Sequence, residues 1–162
     1  MGLVTHTAGF KAVAITAAQD LFEVLASANS ILIVHGFSLY QTTDLADAAE
    51  EILRLTTNRG SGSVTSGSGG STATATLLQR ATAAFGGTVE VNNTTVLAVG
   101  SGTLTNDMEH IGWNIRIPLN FWWTPEARPI ILPGERWTLE LEAAPADSIT
   151  ASGTVYLEQI GI

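Results

Sequence analysis

Cysteine is absent from this 162-residue sequence, and charged residues make up only 14% of it. Without a thiol there is no disulfide, no thiolate nucleophile and no Cys-ligated zinc site, and the absence also fits a reducing compartment. A typical soluble domain carries about 25% charged residues. Here Thr, Ser and Gly replace much of that charge, and such a composition suits strands and turns better than exposed helices.

Basic residues and long apolar runs are also scarce. The chain has seven Lys and Arg residues against fifteen Asp and Glu residues, which gives a net charge of −8. A nucleic-acid-binding protein needs a dense basic patch, whereas these basic residues are scattered, so we expect no direct nucleic-acid binding. The apolar run at 31–39 is far shorter than the roughly 20 residues that span a bilayer. No basic segment precedes an apolar run at the N-terminus, so we expect no signal peptide and no membrane association.

Alternating side chains dominate the region 128–160. The alternation predicts a strand over 135–142, a Pro/Asp corner, and a second strand over 148–159. Trp137, Leu139 and Leu141 share one face, with Val155 and Leu157 expected to join them in the core. We therefore predict that these two strands form the closing hairpin of the domain.

Most of the remaining chain also favours strands. Alternating or β-branched runs occur at 10–16, 20–26, 31–41, 51–57, 71–78, 88–91, 94–99, 104–109 and 112–123. The best helical candidate is 43–51, where Asp44 can cap a short helix, and a longer helix over 44–54 is the competing interpretation. Together these runs predict an all-β, single-domain antiparallel sandwich or jelly roll of about eight strands. It would span 10–162, after a flexible N-terminal arm at 1–9.

A Gly/Ser-rich tract at 58–71 interrupts the predicted strands. It cannot bury a core and predicts a loop. A phosphate-binding loop would contain Gly-Lys-Ser/Thr and open a helix, and no Lys occurs here. We expect an exposed loop at a sheet edge that closes against a neighbouring protein or stays mobile. Arg59 and Val64, within this tract, are predicted to contribute to a partner interface.

Trp122 and Trp123 form the other predicted part of that interface. Adjacent residues of a strand point to opposite faces, so both indoles cannot enter one core. Trp123 is in phase with the apolar positions upstream, and Trp122 is out of phase. One indole is then buried, while the other either contacts a partner, as tryptophans often do at interface hot spots, or is covered by residues 124–133.

No residue pattern predicts a catalytic, cofactor or metal site. The three histidines lie far apart in sequence, and Asp107, Glu109 and His110 form the nearest approach to a ligand cluster, which ordinary surface charge explains. One constellation suits carbohydrate binding, because aromatic rings stack on sugars and two carboxylates flank the groove of a glycosidase. It combines Trp122, Trp123 and Trp137 with Glu126, Glu135, Glu140 and Glu142.

Several segments together resemble a group of small β proteins. The segments are A-A-Q-D-L-F-E-V at 17–24, D-A-A-E-E-I-L-R-L-T-T-N-R-G at 47–60, S-G-S-G-G-S at 66–71, W-T-P-E-A-R-P-I-I-L-P-G-E-R at 123–136, and A-P-A-D-S-I-T-A-S-G-T-V-Y-L-E at 144–158. The group consists of jelly-roll virion proteins of tailed phages and prophages, including capsid decoration (cement) proteins.

The resemblance implies a structural role rather than an enzymatic one. It implies a homotrimer that bridges subunits of the major capsid protein, located in the virion after assembly in the bacterial host cytoplasm. The resemblance supplies no catalytic residues and implies no cofactor. A tail or fibre component is the nearest variant of this hypothesis, and a carbohydrate-binding β-sandwich is the alternative from another class.

Overall fold

The computed structural model describes residues 4–42, 50–78 and 84–161, and within these ranges every regular element is a β-strand. The strands are β1 (Val4–Ile15), β2 (Gln19–Ala26), β3 (Ser30–Gln41), β4 (Ile52–Ser61), β5 (Ser71–Ala73), β6 (Thr76–Leu77), β7 (Gly87–Asn93), β8 (Thr103–Asn114), β9 (Leu119–Trp122), β10 (Ile130–Ile131), β11 (Arg136–Leu141) and β12 (Ile149–Gly161). The predicted all-β fold is confirmed.

The strands form two antiparallel sheets that pack face to face. Sheet A has the order β10–β3–β12–β1–β6, and β9 also pairs with β3. Sheet B has the order β5–β7–β2–β11–β4–β8. The apolar side chains of both inner faces form one hydrophobic core, so the predicted sandwich is confirmed as well.

The strand count exceeds the predicted eight because several strands are very short. β5, β6, β9 and β10 have between two and four residues each. Alternation cannot be recognised in so few residues. The predicted strand at 94–99 instead forms isolated bridges from Thr95 to Ser68 and from Ala98 to Thr65.

The predicted closing hairpin is wrong, although its buried face is right. β11 pairs with β2 and β4 in sheet B, whereas β12 pairs with β1 and β3 in sheet A. The corner between them therefore carries the chain from one sheet to the other. The expected core residues are all buried: Trp137, Leu139, Leu141, Val155 and Leu157.

Three predicted boundaries also need correction. Val4–Gly9 belong to β1 and pair with β12 instead of forming a flexible arm, and residues 1–3 lie outside the described residues. Asn58–Ser61 complete β4, so the Gly/Ser-rich loop is shorter than predicted. Residues 43–49 of the predicted helix lie outside the described residues, and the longer helix to Arg54 is wrong because Ile52–Arg54 belong to β4.

Candidate functional site

The two adjacent tryptophans occupy opposite sides of sheet A, as the alternation predicts. Trp123 is 6% exposed and packs edge-on against Trp137, with 5.9 Å between the ring centroids. Its Nε1–H donates a hydrogen bond to Glu109 Oε2 at 2.5 Å. Trp122 is 56% exposed, so residues 124–133 do not bury it. Trp123 is therefore a core residue, and Trp122 is the indole that a partner can reach.

The Trp122 indole lies across the outer surface of sheet A because the strand beside it carries no side chain there. Trp122 on β9 is opposite Gly36 on β3, and Gly36 is opposite Tyr156 on β12. The Trp122 and Tyr156 ring centroids are 4.7 Å apart, with the planes tilted by 36°. A Cβ atom at Gly36 would lie 2.9 Å from the indole carbons Cδ2 and Cε3. Gly36 thus provides the space in which the two rings meet.

Aliphatic side chains extend this aromatic pair along the same face. Ile33 lies between buried Leu32 and Val34 on β3, so it points outward, and it is paired with Ile130 on β10. Ile130 is 51% exposed, and Ile160, farther along β12, is 38% exposed. We call Trp122, Tyr156, Ile33, Ile130 and Ile160 the sheet A patch.

One close pair of ionisable groups lies beside the sheet A patch on the same face. His35 Nε2 lies 2.6 Å from Glu158 Oε2, and Glu158 is only 5% exposed. Because these groups already satisfy each other, a partner could cover them without desolvating an unpaired ion, which is a costly step at interfaces. The patch is therefore suited to burial against another protein surface.

The other two residues predicted at the interface lie elsewhere. Arg59 is an exposed residue of β4, in sheet B, and lines a cleft at the edge of that sheet. Val64 is half-buried and lies against Gly60, where a Cβ added to the glycine would be 3.0 Å from Val64 Cγ2. The structure therefore does not gather Trp122, Trp123, Arg59 and Val64 into one surface.

A buried carboxylate that the sequence did not single out holds the Gly/Ser-rich loop. Glu23 on β2 is 2% exposed and accepts hydrogen bonds from the Ser66 hydroxyl at 2.6 Å, the Gly67 N–H at 2.8 Å and the Asn93 side chain at 3.2 Å. Arg136 Nε is 3.1 Å from Glu23 Oε1, an ion pair that lacks hydrogen-bond alignment. The loop is packed on its own sheet B. No local signal could have revealed this, because Glu23 and Gly67 are 44 residues apart.

Asp20, near Glu23 on β2, is a second buried carboxyl. Its Oδ2 accepts a hydrogen bond from the Leu97 N–H at 2.6 Å, and its Oδ1 has no hydrogen-bond partner within the described residues. Burial, chiefly, and the charges of Glu140 and Glu23 raise the pKa of Asp20 to about 8, although the Leu97 N–H opposes the shift. The group fastens the segment around Leu97 to sheet B.

The group of Asp107, Glu109 and His110, which we interpret from the sequence as ordinary surface charge, is arranged differently in the structure. Glu109 points inward to Trp123, and Glu142 takes its place beside Asp107 and His110, with the three ligand atoms within 4.8 Å of one another. These donors could accommodate a divalent cation, but Arg54 Nε lies 3.5 Å from Glu142 Oε2. The guanidinium already neutralises that carboxylate and repels a second cation. The cluster is best described as surface ion pairing.

The carbohydrate-binding constellation is also not assembled. Glu140 accepts a hydrogen bond from Asn58 Nδ2 at 2.6 Å on the outer face of sheet B, and Glu142 lies next to that face. Trp122 is on sheet A, and Trp137 is only 1% exposed, so it offers no ring face to a sugar. Glu126 and Glu135 belong to loops, and Glu135 Oε2 accepts a hydrogen bond from the Leu132 N–H.

No match to the chain was found among protein-family models, curated proteins or solved structures. Within the described residues, no helix has the length and apolar character needed to cross a membrane. The sheet A patch, with its exposed indole, is the candidate functional surface of the described residues.

Proposed function

We propose that this chain is a structural virion protein, an oligomeric capsid decoration protein that stabilises the shell by bridging capsid subunits. The resemblance of five segments to small phage virion proteins supports the role. The observation that carries the proposal is the exposed Trp122 indole, whose ring centroid lies 4.7 Å from that of Tyr156 within an apolar sheet face.

Exposure of this patch is unfavourable unless a partner covers it. An aromatic side chain buries roughly 150–250 Å² when it is fully covered, and burial of apolar surface contributes about 25 cal/mol per Å². Extended apolar patches on soluble proteins mark interaction sites. Trp122 has the side chain most enriched at the centres of such interfaces, together with Tyr and Arg.

A second copy of the chain is the partner that we propose for the sheet A patch. The net charge of −8 disfavours association through charged surfaces, whereas this patch places one paired His35–Glu158 contact among rings and aliphatic groups. Closed cyclic symmetry is the usual way in which identical chains assemble. The resemblance implies three copies, which leaves other faces of each copy to contact the major capsid protein.

Light scattering on the purified chain tests the oligomer. A stable trimer has three times the 17.0 kDa mass of one chain. A monomer whose tryptophan fluorescence is quenched by soluble sugars would contradict the proposal and favour the carbohydrate-binding alternative.

Co-sedimentation with purified shells of the major capsid protein tests the role in the virion. A decoration protein pellets with the shells in a fixed ratio to the capsid subunits. A stable trimer that stays in the supernatant would leave the oligomer intact but overturn the decoration role, and would favour the tail or fibre variant.

A further inference from the structure

A mixed polar and apolar cleft of about 380 Å³ opens where the edge of sheet B meets the segment that leads into β10. Arg59 on β4 and Met108 on β8 line one part of it, and Arg128 and Pro129 line another. The cleft shares Ile130 with the sheet A patch but is otherwise separate from it. The two cationic groups of the cleft, Arg59 and Arg128, are not part of that patch.

The cleft collects two cationic groups whose charges the described residues leave unpaired. Arg54 and Arg136 form ion pairs with Glu142 and Glu23, whereas no carboxylate of the described residues forms an ion pair with Arg59 or Arg128. The Arg128 Nε–H is moreover buried without a hydrogen-bond partner in this part of the chain. On a chain with a net charge of −8, two unpaired guanidinium groups in one cleft favour an anionic ligand.

The remaining walls define which anion fits best. Met108 and Pro129 offer apolar contact to a carbon stem. The Glu109 carboxylate also lines the cleft, although its Oε2 accepts from Trp123 Nε1, and its charge opposes a dianion more strongly than a monoanion. A guanidinium binds a carboxylate through two parallel hydrogen bonds. A carboxylate on an apolar stem therefore forms more favourable contacts with the residues of the cleft than phosphate does.

We propose that this cleft is a docking site for an acidic side chain of a partner protein, held by Arg59 and Arg128 with apolar residues flanking the carboxylate. The ligand is an acidic peptide segment in which a Glu has aliphatic neighbours. Trp137, which also lines the cleft, is only 1% exposed and presents no stacking surface to a sugar.

Fluorine NMR on the full chain labelled with 5-fluorotryptophan tests this site. The four tryptophans give four resonances, which single Trp→Phe variants assign. The probe is the peptide Ac-Gly-Leu-Glu-Leu-Gly-NH₂, and its matched control carries Gln in place of Glu. The Glu peptide shifts the Trp137 resonance in a saturable manner, and the Gln peptide binds about tenfold more weakly, which is the effect of about 1.4 kcal/mol from a charge-assisted hydrogen bond.

Arg59→Gln is the decisive variant because Arg59 is exposed and its replacement leaves the core intact. Arg59→Gln and Arg128→Gln each weaken binding of the Glu peptide about tenfold. The control, Lys11→Gln, removes the same charge from an exposed position outside the cleft and leaves binding unchanged. Equal binding of the two peptides, no shift at Trp137, wild-type binding by Arg59→Gln, or tighter binding of inorganic phosphate would each overturn the proposal. None of these outcomes depends on the virion role, which the mass and shell experiments test separately.

Discussion

Asp20 illustrates how one buried carboxyl can make the stability of the whole sandwich depend on pH. Its folded-state pKa of about 8 exceeds the ordinary value of 3.8, mainly because of burial. From about pH 4 to about pH 8 the folded chain therefore holds a proton that the unfolded chain releases, and stability falls as the pH rises. Above the folded-state pKa both states are ionised, and the contribution of Asp20 no longer changes.

We predict that Asp20→Asn removes this pH dependence, because a neutral amide can still accept from the Leu97 N–H and cannot titrate. Between about pH 5 and pH 7, the wild-type free energy of unfolding should fall relative to that of the variant by up to about 1.4 kcal/mol per pH unit. Urea unfolding at a series of pH values measures the difference. Asp147→Asn, at an exposed position, is the control, and identical slopes for wild type and Asp20→Asn would refute the assignment.

Gly36 is the second residue on which a local arrangement depends. Its replacement by Ala would make a Cβ overlap the Phe121 carbonyl oxygen and would place it 2.9 Å from the Trp122 indole. β9 must then move away from β3, so Gly36→Ala should destabilise the chain by about 2 kcal/mol and separate Trp122 from Tyr156. Urea unfolding reports the first effect, and the Trp122 resonance of the chain labelled with 5-fluorotryptophan reports the second.

Gly112→Ala is the matched control for Gly36→Ala. The nearest atom to a Cβ at Gly112 is Ile52 Cγ2 at 3.4 Å, which is an ordinary contact, and its φ angle is not in the left-handed region. This substitution should be close to neutral. If both variants unfold at the same urea concentration, the close approach of β9 to β3 does not have the importance assigned to it.

At the scale of elements, the Gly/Ser-rich loop depends on Glu23 for its position. The charged carboxylate accepts from Ser66, Gly67 and Asn93, and hydrogen bonds to charged groups contribute about 1.5–3 kcal/mol. Glu23→Gln should therefore destabilise the chain by about 3 kcal/mol and speed hydrogen exchange at the Gly67 amide. Glu126→Gln, on an exposed turn, should change neither quantity. Unchanged exchange at Gly67 in Glu23→Gln would show that other contacts hold the loop.

Strands were predictable from the sequence to the extent that they had a buried face. The alternation of Trp137, Leu139 and Leu141 correctly predicted which side of β11 is buried. It carried no information on the partner strand, because the same face could pack inside either sheet, and so β11 and β12 were wrongly paired with each other. Strand pairing depends on residues distant in sequence, such as Leu139 and Phe22.

The candidate site was predictable to the same limited degree. The phase of Trp122 against Trp123 predicted one outward indole, but Gly36 and Tyr156, which define its surroundings, are remote in sequence. Glu109 was grouped with Asp107 and His110 because it is adjacent to them, whereas a register shift in β8 near Asp107 turns Glu109 inward and leaves Glu142 as the neighbour. Arg59 is exposed, as its predicted place in an exposed loop implies, but it lies on sheet B and not beside Trp122.

At the scale of the whole molecule, the two outer sheet faces differ in chemistry. Sheet B carries polar groups such as Glu23, Asn58 and Glu140, and the Gly/Ser-rich loop covers part of it. Sheet A presents Trp122 and Tyr156 with aliphatic neighbours. Association through sheet A leaves the charged surfaces in solvent, which is the arrangement that the net charge of −8 favours.

The most direct test of this account is the solution mass of Trp122→Ala, measured by sedimentation velocity over a dilution series beside the wild type and Ile52→Ala. Ile52 is 70% exposed on sheet B, so its replacement removes apolar surface without touching the sheet A patch. We predict that the wild type and Ile52→Ala sediment as the same oligomer. Trp122→Ala should dissociate toward a single chain, with association at least about 30-fold weaker, because the loss of a hot-spot side chain costs about 2 kcal/mol. A monomeric wild type, or a Trp122→Ala variant with the full oligomer mass at every dilution, would contradict it.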